Sequence, residues 1–224
     1  MERSHEISPL VALGRNGKFF TLSTVWAMSF AHSLFIFKIK EILPISIKTI
    51  LMYNKCMRIA EIKDLDEIMI IINDGKKALK KDGVDQWQNG LPDREGILEN
   101  ILTGESFVYE ENGQILSFAY LKKDYEEDYR EIEKDFKNHG PYLTIHRLSV
   151  RESAKKKGVA KKFFDEIIGY GKYLKIEAIR IDTHPDNFKM QNLISKFSFE
   201  KIGICTVDDK IRRSKRYVYE LILW

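Results

Sequence analysis

The segment from Tyr142 to Ala160 constrains this chain more than any other. Tyr142-Leu-Thr-Ile-His-Arg-Leu-Ser-Val150 is rich in β-branched and aromatic residues and reads as a strand. It runs into a polar, basic loop, Arg151-Glu-Ser-Ala-Lys-Lys-Lys-Gly-Val-Ala160. Gly158 closes that loop and opens an amphipathic helix over residues 159–172. This order points several backbone N–H groups, at the positive end of a helix, into one small space beside Lys155, Lys156 and Lys157. Physically that is an anion site, best suited to a phosphate or pyrophosphate. Taken alone, the loop also fits an ordinary solvated β–α connection.

Around this segment strands and helices alternate. Residues 57–62 read as a strand, and Asp64 or Asp66 can cap a helix through Ile68, Ile71, Ile72 and Leu79, whose spacing is helical. Trp87 falls in a loop, and Pro92-Asp-Arg-Glu95 opens a second helix through Thr103. Asn112-Gly113, between strands at 107–110 and 115–122, signals a hairpin. Residues 124–138 are highly charged and read as mixed loop and helix. Ala178–Thr183 reads as a strand, His184-Pro-Asp-Asn187 as a turn, and 188–197 as a helix. Two last strands, 201–207 and 216–223, complete an α/β pattern.

Leu148-x-Val150 followed by Lys155-x-x-Gly158-x-Ala160 resembles the acetyl-CoA signature of the GNAT-type N-acetyltransferases. That family's usual pattern is Gln or Arg, two residues, Gly, one residue, then Gly or Ala. The block from Ala178 to Gly203 resembles the family's later motif, in which an asparagine after a strand opens a helix that ends before a Gly-Phe pair. The resemblance spans roughly residues 57–224. It implies an α/β fold whose mixed, mostly antiparallel central sheet has flanking helices and is splayed at the cofactor site. Tyr142–Val150 and Ala178–Thr183 are then parallel neighbours joined by the Gly158 helix.

The resemblance also implies an enzyme that moves an acetyl group from acetyl-CoA, as cosubstrate, to a primary amine by direct transfer. On that reading Lys155, Lys156, Lys157, Gly158, Val159 and Ala160 cradle the pyrophosphate. The main chain of Leu148, Ser149 and Val150 pairs with the pantetheine arm like an added strand, and a backbone N–H there faces the thioester oxygen. One such donor is typically worth ~3 kcal/mol in the transition state. Asn187 carries over as a cofactor contact, beside its simpler role as the cap of the helix it precedes. Lys155 departs from the family's Gln or Arg, keeping the charge but losing the guanidinium fork. Ile194 stands where many members have a tyrosine that protonates the leaving thiolate, and Ser198 replaces the glycine of the Gly-Phe pair. Those departures keep a second reading open, a non-catalytic acyl-CoA-binding sensor or regulatory module.

For the base, His146 is the candidate. Strict strand alternation puts Thr144, His146, Leu148 and Val150 on one face, so His146 lies just upstream of the segment implied to hold the thioester. Arylalkylamine acetyltransferases of the family carry a histidine at the corresponding place. An imidazole suits proton removal from an ammonium, directly or through water. A hydrogen-bonded histidine packed between sheet and helix is the alternative. Glu126 and Glu127 are weaker base candidates, expected to be solvated. Tyr170, Tyr173 and Tyr217 are not placed at the thiol by anything in the sequence. Trp87, Tyr125 and Tyr129 are either acceptor-pocket residues or plain core and lid. The acceptor is equally open: a small amine, an aminoglycoside-like compound, or a protein N-terminus or lysine.

Charge and composition narrow the alternatives. The 224 residues are 44% hydrophobic, enough for a normal core. Residues 1–56 hold seven Lys/Arg and three Asp/Glu, leaving 30 of each sign in 57–224. That balance argues against nucleic acid as the main partner. Cys56 and Cys205 show no CxxC spacing and suggest neither a nucleophile, a disulfide framework nor a zinc site. His5, His32, His139, His146 and His184 show no paired-ligand spacing, so no metal is expected.

The organisation expected is an N-terminal extension, 1–56, and an N-acetyltransferase domain, 57–224. Residues 19–37 contain no Asp, Glu, Lys or Arg, a length at the lower edge for a membrane span. Thr21, Ser23, Thr24, Ser29, His32 and Ser33 weaken insertion. More lysines follow the run (Lys38, Lys40, Lys48, Lys55) than immediately precede it, which would leave a tethered domain in the cytoplasm. Three readings stay open for 1–56: a membrane anchor, a structured extension, or upstream sequence ahead of a start at Met57.

Overall fold

The computed structural model describes residues 56–123, 125–208 and 213–224, with the backbone of 12–13 and 19–20. The chain divides into two compact units, 1–55 and 56–224. In the first, β1 (Ala12–Leu13) pairs antiparallel with β2 (Phe19–Phe20). The remainder of the uncharged run at 19–37, with its candidacy as an anchor, lies outside the described residues. Among the described residues no helix is long and apolar enough to cross a membrane.

The second unit is built on a seven-stranded sheet ordered β3-β4-β5-β6-β7-β9-β8. These strands are β3 (Met57–Ile59), β4 (Ser106–Glu111), β5 (Gln114–Lys123), β6 (Tyr142–Val150), β7 (Ala178–Thr183), β8 (Glu200–Asp208) and β9 (Arg213–Ile222). Every pairing is antiparallel except β6 with β7, which is parallel as the motif order implies. The crossover between them is α3 (Val159–Tyr173). Helices α1 (Leu65–Lys81) and α2 (Arg94–Leu102) lie between β3 and β4 in sequence, and α4 (Phe188–Ile194) follows β7. The β4–β5 hairpin turns at Asn112 and Gly113, with φ +52° and +75°, the left-handed pair that a two-residue turn requires.

Alternation along β4 and β5 separates two cores. Phe107, Tyr109, Ala119 and Leu121 face α3, where Phe163, Phe164 and Ile167 are fully buried with Leu143, Ile145, Ile179 and Ile181. Val108, Ile115 and Phe118 face α1 and α2, meeting Ile68, Ile71, Ile72, Ile97 and Ile101. Each buried Val, Leu, Ile or Phe among them stabilises the fold by roughly 1.5–3 kcal/mol relative to exposure. A third core lies under the 3-10 stretch Glu127–Asp135, where Tyr129, Ile132 and Phe136 meet Cys205 and Val218.

Two polar features depart from simple capping and burial rules. Asp64 occupies the N-cap of α1 without capping it; its carboxylate instead accepts from Arg58 Nη1 at 2.6 Å and the Glu61 N–H at 2.8 Å. Arg180, 3% exposed, reaches Glu220, 2% exposed, at 3.1 Å, with its guanidinium between the rings of Phe136 and Tyr142. The Lys137 N–H donates to the other Glu220 oxygen at 2.8 Å, so this buried pair is also hydrogen-bonded around its edge.

Candidate functional site

The parallel pairing of β6 and β7 runs from Tyr142↔Ala178 to Ile145↔Ile181 and stops there. Both strands continue, β6 to Val150 and β7 to Thr183, so the sheet opens between them. On its other edge β6 stays paired with β5, at Ser149↔Phe118 and Val150↔Ser117, and the Arg151 N–H donates to Leu116 O at 2.8 Å. Bonding residues alternate in an antiparallel ladder. Ser149 and Arg151 therefore face β5, while the peptide groups of Leu148 and Val150 point into the opening. The side chain of Ser149 is also committed, its Oγ donating to Ile71 O at 3.0 Å. Ser149 thus ties sheet to α1, and the residues on either side of it present their main chain to the gap.

The register between β5 and β6 shifts once. From Phe118↔Ser149 to Tyr120↔His146, two steps on β5 match three on β6. The extra residue is a bulge, and Arg147 there takes φ +57°. The strict alternation expected from the sequence is thereby corrected. Leu148 and Val150 pack on the same core as Leu143 and Ile145, on the α3 side. His146 lies on the opposite face, with the buried Thr144 and Ser149. One inserted residue flips every side chain beyond it.

At the mouth of the opening stands the loop before α3. Gly158 is the helix N-cap with φ +79°, and a Cβ built on it meets nothing within 4 Å. Its backbone conformation, and not local crowding, demands glycine, and the space ahead is clear. The N–H groups of Val159, Ala160 and Lys161 form the first turn of α3 and have no partner within the helix by construction. Val159 is anchored in the core. Lys155 is paired with Glu152, whereas Lys156 and Lys157 are exposed cations beside the helix start. Clear space, helix N–H groups and lysines fit a phosphate-bearing group. The turned-out peptides of Leu148 and Val150 fit an extended amide arm. Asn187 caps α4, accepting from the Met190 N–H at 3.2 Å.

On the α1 side of β6, His146 Nε2 lies 3.0 Å from Glu126 Oε2, which also accepts from Lys122 Nζ at 3.0 Å. The Glu126 N–H donates to the Tyr142 hydroxyl at 2.9 Å, and the His146 ring stacks on Tyr120. Burial acts to raise the Glu126 pKa, but His146 and Lys122 outweigh it and hold the carboxyl below its usual range. Glu126 was expected to be solvated; it is 9% exposed, because the chain folds it onto His146 and Tyr142. Glu127 is exposed as expected. Tyr120, pushed up to about 12 by burial and then by Glu105, keeps its phenolic proton at neutral pH.

Ile194 is fully buried in the α3-side core. Tyr170 packs on Phe107, Tyr173 is partly exposed at the end of α3, and Tyr217 lies on β9 opposite Thr183, beneath Lys201. Of the aromatics considered for the acceptor, Tyr129 is core and bonds Asp182 at 2.9 Å, and Tyr125 is exposed. Trp87 packs over Gly75 of α1, beside Ser149. Cys205 is buried, and burial followed by Asp182 pushes its thiol up to about 12. Sequence reasoning missed Tyr120 and Arg147. Their only signal was position, opposite and beside His146 across a bulge that no pattern announced. A separate cleft, lined by Asn138, Lys175, Glu177 and Trp224, lies at the other ends of β6 and β7. Open sheets bind ligands at the carboxyl ends of parallel strands, which favours the β6–β7 opening over this cleft.

Residues 73–199 match the Acetyltransferase (GNAT) family. None of the curated proteins matches the chain. Among solved structures, a GNAT-family acetyltransferase from Streptococcus agalactiae is 28% identical, with TM-score 0.65, over 74% of this chain and 94% of its own. An acetyltransferase from Salmonella typhimurium, solved with its cofactor acetyl-CoA, shares the fold at 17% identity and TM-score 0.55, over 75% of this chain and 93% of its own. The ribosomal-protein-S18-alanine N-acetyltransferase of Escherichia coli shares it at 14% identity and TM-score 0.51, over 75% and 92%.

Proposed function

The chain belongs to the acetyltransferase (GNAT) family, and from that premise we propose that it moves an acetyl group from acetyl-CoA to a primary amine by direct transfer. The observation that carries this reading is the parting of β6 and β7 beyond Ile145 and Ile181, with the Gly158 helix start at its mouth. On this reading the α3 N–H groups, Lys156 and Lys157 hold the pyrophosphate, and Leu148 and Val150 pair with the pantetheine arm. A main-chain N–H beside the Arg147 bulge then faces the thioester oxygen as charge develops on it, a donor typically worth ~3 kcal/mol.

His146 takes the proton of the incoming ammonium, directly or through water. Glu126 orients the imidazole and offsets the positive charge it gains. The amine nitrogen bonds the acetyl carbon, the carbon–sulfur bond breaks, and the thiolate leaves. With Ile194 buried, water is the proton source for that thiolate. The Cys205 thiol, buried and protonated, supports transfer without an acyl-cysteine. Ile194 also favours the second reading, an acyl-CoA sensor without turnover.

Thiol release from acetyl-CoA against an amine panel, together with calorimetry with CoA, tests the proposal. Turnover is expected in the parent protein. Gly158→Glu should abolish CoA binding by placing bulk and like charge in the anion's space while the fold persists. His146→Ala should leave CoA affinity nearly unchanged, slow turnover roughly 10²-fold or more, and remove the acidic limb of the pH–rate profile. Tight CoA binding with no thiol release on any amine would favour the sensor. CoA binding by Gly158→Glu equal to the parent's would refute the site.

A further inference from the structure

Arg147, the bulge residue, is the one site cation of β6 that the acetyl-transfer reading leaves without a task. We propose that it anchors a carboxylate of the acceptor, so that the amine substrates are amino acids or related amino-carboxylates. This inference rests on the acetyl-transfer reading of the same site.

The hydrogen bonds of the guanidinium point to such a ligand. Nη1 donates to Gly96 O at 2.9 Å and to Asn100 Oδ1, so its two protons are assigned to α2. Among the described residues Arg147 makes no ion pair; Asp93 and Glu99 act on it only from a distance. Burial pulls the guanidinium below its ordinary pKa, so the half-buried charge is incompletely compensated by the protein. Among the described residues neither Nε–H nor Nη2–H has a hydrogen-bond partner, which leaves the edge formed by Nε–H and one Nη2–H for a ligand. Those two bonds are parallel and spaced to meet both oxygens of a carboxylate. A residue serving only to clasp α2 would need Nη1 alone.

Position supports the same conclusion. Arg147 holds φ +57°, a conformation that costs a non-glycine residue about 1–2 kcal/mol and concentrates at functional sites. It is the immediate neighbour of His146, and both border Tyr120: the imidazole stacks on its ring, and the guanidinium charge acts on its phenol. An amino-carboxylate carries its amine and its carboxylate a few ångströms apart. A base and a guanidinium on successive residues, facing one aromatic ring, match that pairing. A Cβ on Gly96 would come within 3.8–3.9 Å of the guanidinium nitrogens, which shows how closely α2 holds the group in place.

The test uses matched acceptors: L-amino acids of acidic, basic and apolar type, the corresponding amino-acid amides, the decarboxylated amines, and short peptides with free N-termini. Parent protein, Arg147→Lys and Arg147→Gln are compared. In the parent, kcat/KM for the best amino acid should exceed that for its amide about 10- to 100-fold, the range of a charged bidentate contact. Both variants should shrink that ratio to a few-fold while retaining the parent's CoA affinity, with a modest fall in melting temperature from the lost bonds to α2. Equal rates for acid and amide in the parent, a preference for peptide N-termini, or an equal loss on both substrates in the variants would overturn the anchor. A second arm needs no turnover: calorimetry of N-acetyl amino acids against N-acetyl amino-acid amides with CoA present. If no amine is acetylated, the catalytic reading fails alone. An Arg147-dependent preference for the N-acetyl acid then still supports the anchor, and its absence overturns it.

Discussion

Glu126 answers to two opposed demands at once. Burial disfavours its charge, while the hydrogen bonds from His146 and Lys122 favour it and prevail. Because its folded-state pKa lies below the ordinary carboxylate value, the stabilisation it contributes is present above that ordinary value and is lost as pH falls through the folded one. Glu126→Gln should therefore cost about 1–3 kcal/mol at neutral pH, and parent and variant should converge in acid. Urea denaturation at a series of pH values checks this; a constant offset at every pH would contradict it. The sequence could show Glu126 only as one acid in a charged segment. Its burial depends on contacts with Tyr142 and His146, which belong to a different element, and local pattern has no access to them.

Among the elements, α3, β7 and the β4–β5 hairpin were legible from residue pattern, because each carries its own periodicity or turn chemistry. The stretch over Glu127–Asp135 was legible only as mixed loop and helix, since its two core residues, Tyr129 and Ile132, are spaced among charges that suit several conformations. The β6 bulge was not legible, since it changes face without changing residue type and so puts His146 on the face opposite Leu148 and Val150. The helix expected over 188–197 ends as α-helix at Ile194 and tightens into a 3-10 turn, Ser195–Phe197, before Ser198. Ser198 takes φ +60°, the left-handed conformation that the family's glycine would supply. A serine there costs about 1–2 kcal/mol, offset in part by glycine's greater freedom when unfolded. Ser198→Gly should thus stabilise by about 0.5–1 kcal/mol. A higher denaturation midpoint at unchanged slope would confirm it; a lower midpoint would show that the hydroxyl matters more than the backbone.

For the molecule as a whole, the two ends of the parallel pair can be told apart by ligand linkage. Trp224 Nε1–H donates to Ile176 O at 2.9 Å beside the far cleft. Trp224→Ala should lower stability by about 0.5–1.5 kcal/mol. CoA at a hundredfold over its Kd should nevertheless raise stability by about 2.7 kcal/mol in parent and Trp224→Ala alike. Paired thermal scans with and without CoA measure this, and a diminished ligand-induced rise in the variant would mean that the two ends are coupled. Sheets usually carry their unmatched rungs at the rim, where any extended chain can attach and the protein must guard against its own copies. In this fold the unmatched rungs of Leu148 and Val150 lie in mid-sheet, with β5 on one side and β7 closing in from the other. A strand from a second molecule has no sideways approach to them. A single thread fed along the seam does, so the same vacancy that would invite aggregation at a rim becomes, at this depth, a slot that selects by thickness.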